Sequence, residues 1–127
     1  MTKKELVHRM VVQVSRDDLE GMNLALNNIL AGKAHYDSEG ERFQVELVAY
    51  GPGITMLRGD KSPVKDRIEE VRKAVANLTL SMCGNAKAAA ETREGHKVTP
   101  LPGVGVVPSG VVRVMELQEQ GWTYVRP

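Results

Sequence analysis

The stretch that decides the fold is Leu78-Thr79-Leu80-Ser81-Met82-Cys83-Gly84-Asn85, residues 78–85. The short apolar run at its start predicts a buried strand over Leu78–Met82. The alanine-rich segment that follows, Asn85–Glu94, predicts a helix, because alanine has the highest helix propensity. The only cysteine of the chain, Cys83, therefore falls at a junction between a strand and a helix.

The same alternation of strand and helix extends to both ends of the chain. β-branched and apolar runs predict five strands: Val7–Val14, Phe43–Tyr50, Leu78–Met82, Gly105–Val107 and Trp122–Arg126. Helices are predicted between them, from Asp17 to Gly32, from Pro63 through Val75, over Asn85–Glu94, and from Ser109, as the N-cap, through Gln120. One helix between each pair of strands is typical of an α/β domain with a mainly parallel sheet.

Helix ends are predicted from capping patterns. Asp17 with Glu20 three residues later resembles a capping box at the start of the first helix. Gly32 is the predicted stop of that helix, and Lys33–Arg42 is the predicted loop after it. Ser62 followed by Pro63 predicts an N-cap with proline at the first helical position.

A mainly parallel sheet covered by helices on both faces collects all the strand-to-helix loops at one edge. These loops are Ser15–Asp18, Tyr50–Gly53, Cys83–Ala86 and Pro108–Gly110. Ligands of such sheets bind at that edge, near a switch in strand order. The strand order is not predicted by the sequence, so the pattern leaves open which two loops are neighbours.

Length and composition limit the classes of function. The 127 residues suit one domain, spanning 1–127, and 42% hydrophobic residues suffice for a core. The formal net charge of +1 predicts no DNA or RNA partner. No apolar run reaches membrane-spanning length. The N-terminal residues Met1–Glu5 lead into a predicted strand and not into the apolar region of a signal peptide. We therefore expect a cytoplasmic protein. One cysteine excludes an internal disulfide, and three scattered histidines predict no metal site.

Cys83 is the candidate reactive residue at the predicted edge. A thiolate at a helix N-terminus is favoured by the partial positive charge there, which makes the sulfur a nucleophile. The candidate binding residues at the same edge of the sheet are Gly51, Gly53, Gly84, Asn85 and Ser109. The alternative is that Cys83 is a buried, inert core residue, since free cysteine is among the most buried residue types.

The histidines are predicted to lie away from Cys83. His8 begins the first strand, and His35 and His96 follow the predicted ends of helices, which places all three near the opposite edge of the sheet. Covalent catalysis by a cysteine–histidine pair would therefore need a base from another subunit.

Several segments, in this order along the chain, resemble the DsrE/DsrF-like family, and in particular its uncharacterised branch of intracellular sulfur oxidation proteins. They are Gln13-Val14-Ser15 with Asp17-Asp18, Asn23–Asn28, Val48–Gly53, Cys83-Gly84-Asn85, Val106–Val111 and the tail Leu117–Pro127. The resemblance implies a three-layer α/β/α fold with a five-stranded parallel sheet, and trimers or hexamers. It also implies relay of sulfur as a cysteine persulfide between a protein donor and a protein acceptor, without a cofactor. Cys83 matches the family's active cysteine.

Two hypotheses from different classes follow. In the first, Cys83 accepts sulfur as a persulfide and passes it on. In the second, the protein is a non-catalytic oligomeric module that binds a small ligand or a partner, and Cys83 is structural.

Overall fold

The computed structural model describes residues 6–127. The start Met1–Glu5, used above in the argument against a signal peptide, lies outside the described residues. The strands are β1 (Val7–Val14), β2 (Arg42–Ala49), β3 (Leu78–Cys83), β4 (Gly105–Val107) and β5 (Thr123–Val125). The α-helices are α1 (Leu19–Ser38), α2 (Lys65–Ala74), α3 (Gly84–Glu94) and α4 (Gly110–Glu119), and a 3-10 helix spans Gly51–Leu57.

The five strands form one sheet in the order β4-β3-β2-β1-β5, and every described strand pair is parallel. The predicted five-stranded parallel sheet and α/β class are therefore confirmed. β1 and β2 pair along their whole length, from Val7 opposite Arg42 to Val14 opposite Ala49. The two edge strands are only three residues long, which limits the exposed backbone at the sheet's sides.

The two faces of the sheet are covered unequally. Buried residues of α1, α2 and α3 share one apolar cluster with inward-facing residues of the central strands, such as Leu47. On the other face α4 packs alone, through Val114 and Leu117, against Val11 and Val48. The result is a three-layer α/β/α arrangement with three helices on one side and one on the other.

A buried ion pair fastens α4 to its face of the sheet. Glu46 of β2 is only 3% exposed, and its carboxylate accepts hydrogen bonds from Arg113 Nε at 2.8 Å and from the same guanidinium's Nη2 at 2.9 Å. Ser81 Oγ donates to the same carboxylate at 2.9 Å. This carboxylate also raises the pKa of Arg113 through its hydrogen bonds. A carboxylate in a sheet centre is tolerated because all its contacts are charged or hydrogen-bonded.

The first helix is longer than its glycine pattern predicts. Gly32 does not end it, and the segment predicted as a loop, Lys33–Arg42, is helical through Ser38. Gly32 instead leaves room for the Phe43 ring, which would lie 2.6 Å from a Cβ at that position. The helix ends at Ser38, and Gly40, the residue after the C-cap Glu39, provides the left-handed residue of a C-terminal cap with its φ of +69°.

Two predicted helix starts also need correction. The N-cap of α1 is Asp18, not Asp17, and its Oδ2 accepts the Gly21 N–H at 3.2 Å. The second helix begins at Lys65, two residues after Pro63, with Val64 as an N-cap that makes no side-chain hydrogen bond. The proline lies in the turn before the helix, where buried Val64 anchors the chain.

A second ion cluster anchors the far end of α3. The buried guanidinium of Arg58 donates to both oxygens of Asp60 and to both oxygens of Glu94, at 2.7–2.9 Å. These hydrogen bonds hold the pKa of Asp60 and of Glu94 at about 2. The cluster ties α3 to the segment after the 3-10 helix.

Candidate functional site

The strand order decides which loops are neighbours. β3 and β4 are adjacent, yet β3 leads into α3 on one face of the sheet and β4 leads into α4 on the other. Two neighbouring strands whose chains leave in opposite directions form a topological switch point, where ligands of open α/β sheets bind. The loops at this switch point are those of Cys83 and Ser109, and we call the place where these two loops meet the crevice. The question that the sequence left open, which loops adjoin, is thereby answered.

Cys83 is both the last residue of β3 and the N-cap of α3. Its Sγ accepts a hydrogen bond from the Ala86 backbone N–H at 3.4 Å. The sulfur, and not the Asn85 side chain, therefore occupies the capping position of this helix. Cys83 is 5% exposed and belongs to the main apolar cluster. The sulfur thus lies at the positive end of an eleven-residue helix, with little surface open to water.

Ser109 and Asn85 join the two loops of the crevice. Ser109 is the N-cap of α4, as predicted, and its Oγ accepts the Val112 N–H at 3.4 Å. The Asn85 N–H donates to the carbonyl of Pro108 at 3.3 Å. The Asn85 side chain is exposed and Ser109 is half-buried. The first turns of α3 and α4 are therefore held side by side.

Two of the three predicted binding glycines, Gly53 and Gly84, permit close contacts with the ends of neighbouring strands. A Cβ on Gly53 would lie 2.2 Å from the Val14 carbonyl oxygen, and one on Gly84 would lie 3.0 Å from the Val107 carbonyl oxygen. Gly51 has φ +55° and begins the 3-10 helix. Gly84 adjoins the crevice, whereas Gly53 is buried against the end of β1. Their role in binding a ligand stays a prediction.

Comparison with known proteins agrees with this geometry. Residues 10–127 match the DsrE/DsrF-like family. The chain belongs to the DsrE/DsrF-like family. A solved structure of a protein of unknown function, MTH1491 from Methanobacterium thermoautotrophicum, superposes with a TM-score of 0.77 at 29% identity, covering 94% of this chain and 99% of that chain. No curated protein sequence matches significantly.

Tyr50 lies near the crevice of this DsrE/DsrF-like chain, although it was not among the predicted site residues. Tyr50, at the end of β2, packs against Gly110, where a Cβ would lie 2.6 Å from the Tyr50 Cβ. Burial raises the pKa of the Tyr50 phenol. The signal in the sequence was an aromatic residue directly before Gly51-Pro52-Gly53, where a strand ends at the loop edge.

The three histidines lie away from the crevice. His8, at the start of β1, has its Nε2 2.9 Å from Glu41 Oε1 and stacks on Tyr36. His35 is in the last turn of α1 rather than in a loop, and His96 follows the far end of α3. Within residues 6–127, no cluster of histidine, cysteine and acidic residues could hold a metal ion, and no helix is long and apolar enough to cross a membrane.

Proposed function

We propose that this DsrE/DsrF-like protein relays sulfur, with Cys83 as the residue that carries it as a persulfide. The observation that carries the proposal is the position of the Cys83 sulfur as the N-cap of α3, where the Ala86 N–H donates to it. Family membership and the adjacent switch-point crevice support the same assignment.

The proposed transfer is a thiol–persulfide exchange. The Cys83 thiol gives its proton to solvent, and the thiolate attacks the outer sulfur of a donor R–S–SH. The S–S bond of the donor breaks, its electron pair leaves with R–S⁻, and Cys83 becomes Cys–S–SH. One S–S bond forms as one breaks, so the exchange requires no oxidant. Release to an acceptor thiol is the same step in reverse.

The start of α3 provides what this exchange needs from the protein. A helix N-terminus with unpaired N–H groups favours negative charge. The Ala86 N–H would therefore stabilise the thiolate before transfer and the persulfide anion after it. Neither step requires a metal or an organic cofactor.

The low exposure of Cys83 favours a second candidate function. A thiol that is 5% exposed and adjoins fully buried Met82 fits an inert core residue. In that case the protein would be a non-catalytic module whose loop edge binds a small ligand or a partner. The rate at which the native thiol reacts distinguishes the two candidates, because an inert, buried thiol labels slowly at mildly acidic pH.

We further propose a homo-oligomer, a trimer or hexamer, that exchanges sulfur with protein donors and acceptors in the cytoplasm. Its support is an apolar patch on the outer face of α4, formed by Val111, Val112 and Met115, which are 47–53% exposed. Adjacent exposed apolar side chains on one helix favour a contact with another protein surface. Val111 and Val112 lie in the turn that follows Ser109, so a subunit bound there would border the crevice.

Intact-mass measurement after incubation with a low-molecular-weight persulfide tests the relay. The wild type is expected to gain one sulfur atom and to lose it to an added acceptor thiol. Cys83→Ser is expected to gain none. The matched control Cys83→Ser with Ala34→Cys places the thiol on an exposed position of α1 and is expected to load more slowly. The proposal is wrong if the wild type gains no sulfur, or if the relocated thiol loads equally fast.

A further inference from the structure

A cleft of about 500 Å³ lies at the edge of the sheet opposite to Cys83. It is bounded by the first half of β1, the second half of α1 and the start of β5, and its lining includes His8, Gly32, Tyr36, Phe43 and Thr123. We call it the β1-edge cleft. None of its lining residues belongs to the loops of Cys83 and Ser109.

The floor of the β1-edge cleft is a stretch of β1 backbone with no described strand beside it on the β5 side. The carbonyls of Leu6 and Val14 accept hydrogen bonds from Arg42 and Tyr50, so the backbone N–H and C=O of the even-numbered β1 residues point toward β2. The N–H and C=O of the odd-numbered residues then point to the β5 side, because the direction of these groups alternates from one residue of a strand to the next.

On that side β5 pairs only with Met10–Val12, and no described strand pairs with Val7–Arg9. β5 begins at Thr123, opposite Met10, so β5 does not cover this stretch. The Val7 carbonyl and the Arg9 N–H therefore face the cleft as an adjacent acceptor and donor. The Arg9 side chain is directed toward β2, where its Nε donates to Gln44 Oε1 at 3.1 Å.

The wall of the cleft is aromatic and held in place. The His8 and Tyr36 rings stack with centroids 3.7 Å apart and planes 7° apart, and Tyr36 lies 5.9 Å from Phe43. Glu41 holds the His8 ring through its Nε2 at 2.9 Å. Such fixed rings offer flat apolar surface next to the polar backbone edge.

We propose that the β1-edge cleft binds a small planar heterocycle whose edge carries an adjacent N–H and C=O, as the lactam of a nucleobase does. The lactam N–H would donate to the Val7 carbonyl and its C=O would accept from the Arg9 N–H, while the ring packs on the aromatic wall. A strand-like peptide fits less well, because the free edge of three residues is only about 10 Å long. Apolar walls with a few fixed polar groups are typical of small-molecule sites.

Binding of inosine to the full-length protein, followed by amide NMR, tests the inference. Inosine is expected to bind saturably and to shift the Val7 and Arg9 N–H resonances. The probe 1-methylinosine lacks the lactam N–H and is expected to bind about tenfold more weakly, a difference of about 1.4 kcal/mol. No saturable binding, or equal binding of the two nucleosides, would overturn the proposal.

Two tryptophan variants locate the site. Ala31 is exposed and lines the cleft, so Ala31→Trp is expected to fill it and to abolish inosine binding. Ala88, an exposed alanine of α3, is the matched control, and Ala88→Trp is expected to bind as the wild type does. Both positions are on helix surfaces, and folding of each variant is checked by its amide spectrum. Inosine binding that survives Ala31→Trp would place the ligand elsewhere and refute the proposed site.

Discussion

Replacement of Arg113 by methionine is expected to destabilise the protein by about 3 kcal/mol, because it leaves a buried carboxylate without its cation. Glu46 is 3% exposed and would retain only the Ser81 hydroxyl of its three hydrogen bonds. Breaking a buried pair from one side costs about 3–5 kcal/mol. The lower end applies here because the Arg113 side chain is 33% exposed, so water can reach the gap that it leaves. That loss is a large part of the ~5–15 kcal/mol that stabilises a typical domain.

Urea unfolding at one fixed protein concentration measures this effect, since oligomerisation would make the midpoint depend on concentration. The double variant Glu46→Leu with Arg113→Met removes both charges, and we expect it to be more stable than Arg113→Met alone. Arg93→Met is the control at a guanidinium that is 70% exposed, where a loss of no more than about 1 kcal/mol is expected.

Two outcomes would contradict the reasoning. A loss below about 1 kcal/mol for Arg113→Met would mean that Glu46 finds water or another partner and is not isolated by burial. A double variant less stable than Arg113→Met would mean that the carboxylate itself, and not its pairing, stabilises this face of the sheet.

Two further predictions concern the loop edge and the acid limit. Gly53→Ala is expected to lower the free energy of unfolding by more than about 3 kcal/mol, because its Cβ would meet the Val14 carbonyl oxygen at 2.2 Å. Gly105→Ala, whose Cβ would have 4.0 Å of clearance, is the control and should unfold near the wild-type urea midpoint. Asp60 and Glu94, the two carboxylates bound by Arg58, have a pKa of about 2 in the folded protein, below their usual values near 4. Their contribution to the stability of the fold is therefore present above pH 4 and is lost as the pH falls toward 2. The urea midpoint of Glu94→Gln should therefore fall less than that of the wild type between pH 5 and pH 3, and equal declines would contradict this.

Local sequence patterns predicted those features that depend only on residues close together in the sequence. β-branched and apolar runs located the five described strands, and Ser109 was correctly predicted as the N-cap of α4. The end of α1 was missed because Gly32 has two physical uses. A glycine can end a helix through a positive φ, or it can admit a large neighbour inside a helix, and here Phe43 supplies that neighbour from β2. That choice depends on tertiary packing, which a local pattern does not contain.

The candidate site was predictable by residue but not by arrangement. Cys83 and Ser109 were both identifiable at strand-to-helix junctions, yet their proximity depends on β4 lying beside β3. The placement of α4 alone on its face depends on the same strand order, and so does the position of Tyr50 against Gly110. Strand order arises from long-range pairing, so it could not be read from the periodicity of any one segment.

The burial of Cys83 and its position at the start of a helix have opposite effects on the stability of a charged sulfur. Burial in an apolar cluster disfavours a charged sulfur, while the Ala86 N–H and the α3 helix favour it. A persulfide projects one sulfur atom further than a thiol, which would bring its outer sulfur from the capping position toward the crevice shared with Ser109. The inner sulfur can then stay shielded while the transferable atom meets its acceptor. In this arrangement release does not require an exposed Cys83 sulfur, whereas loading, in which that sulfur attacks the donor, requires the donor to reach a residue that is 5% exposed.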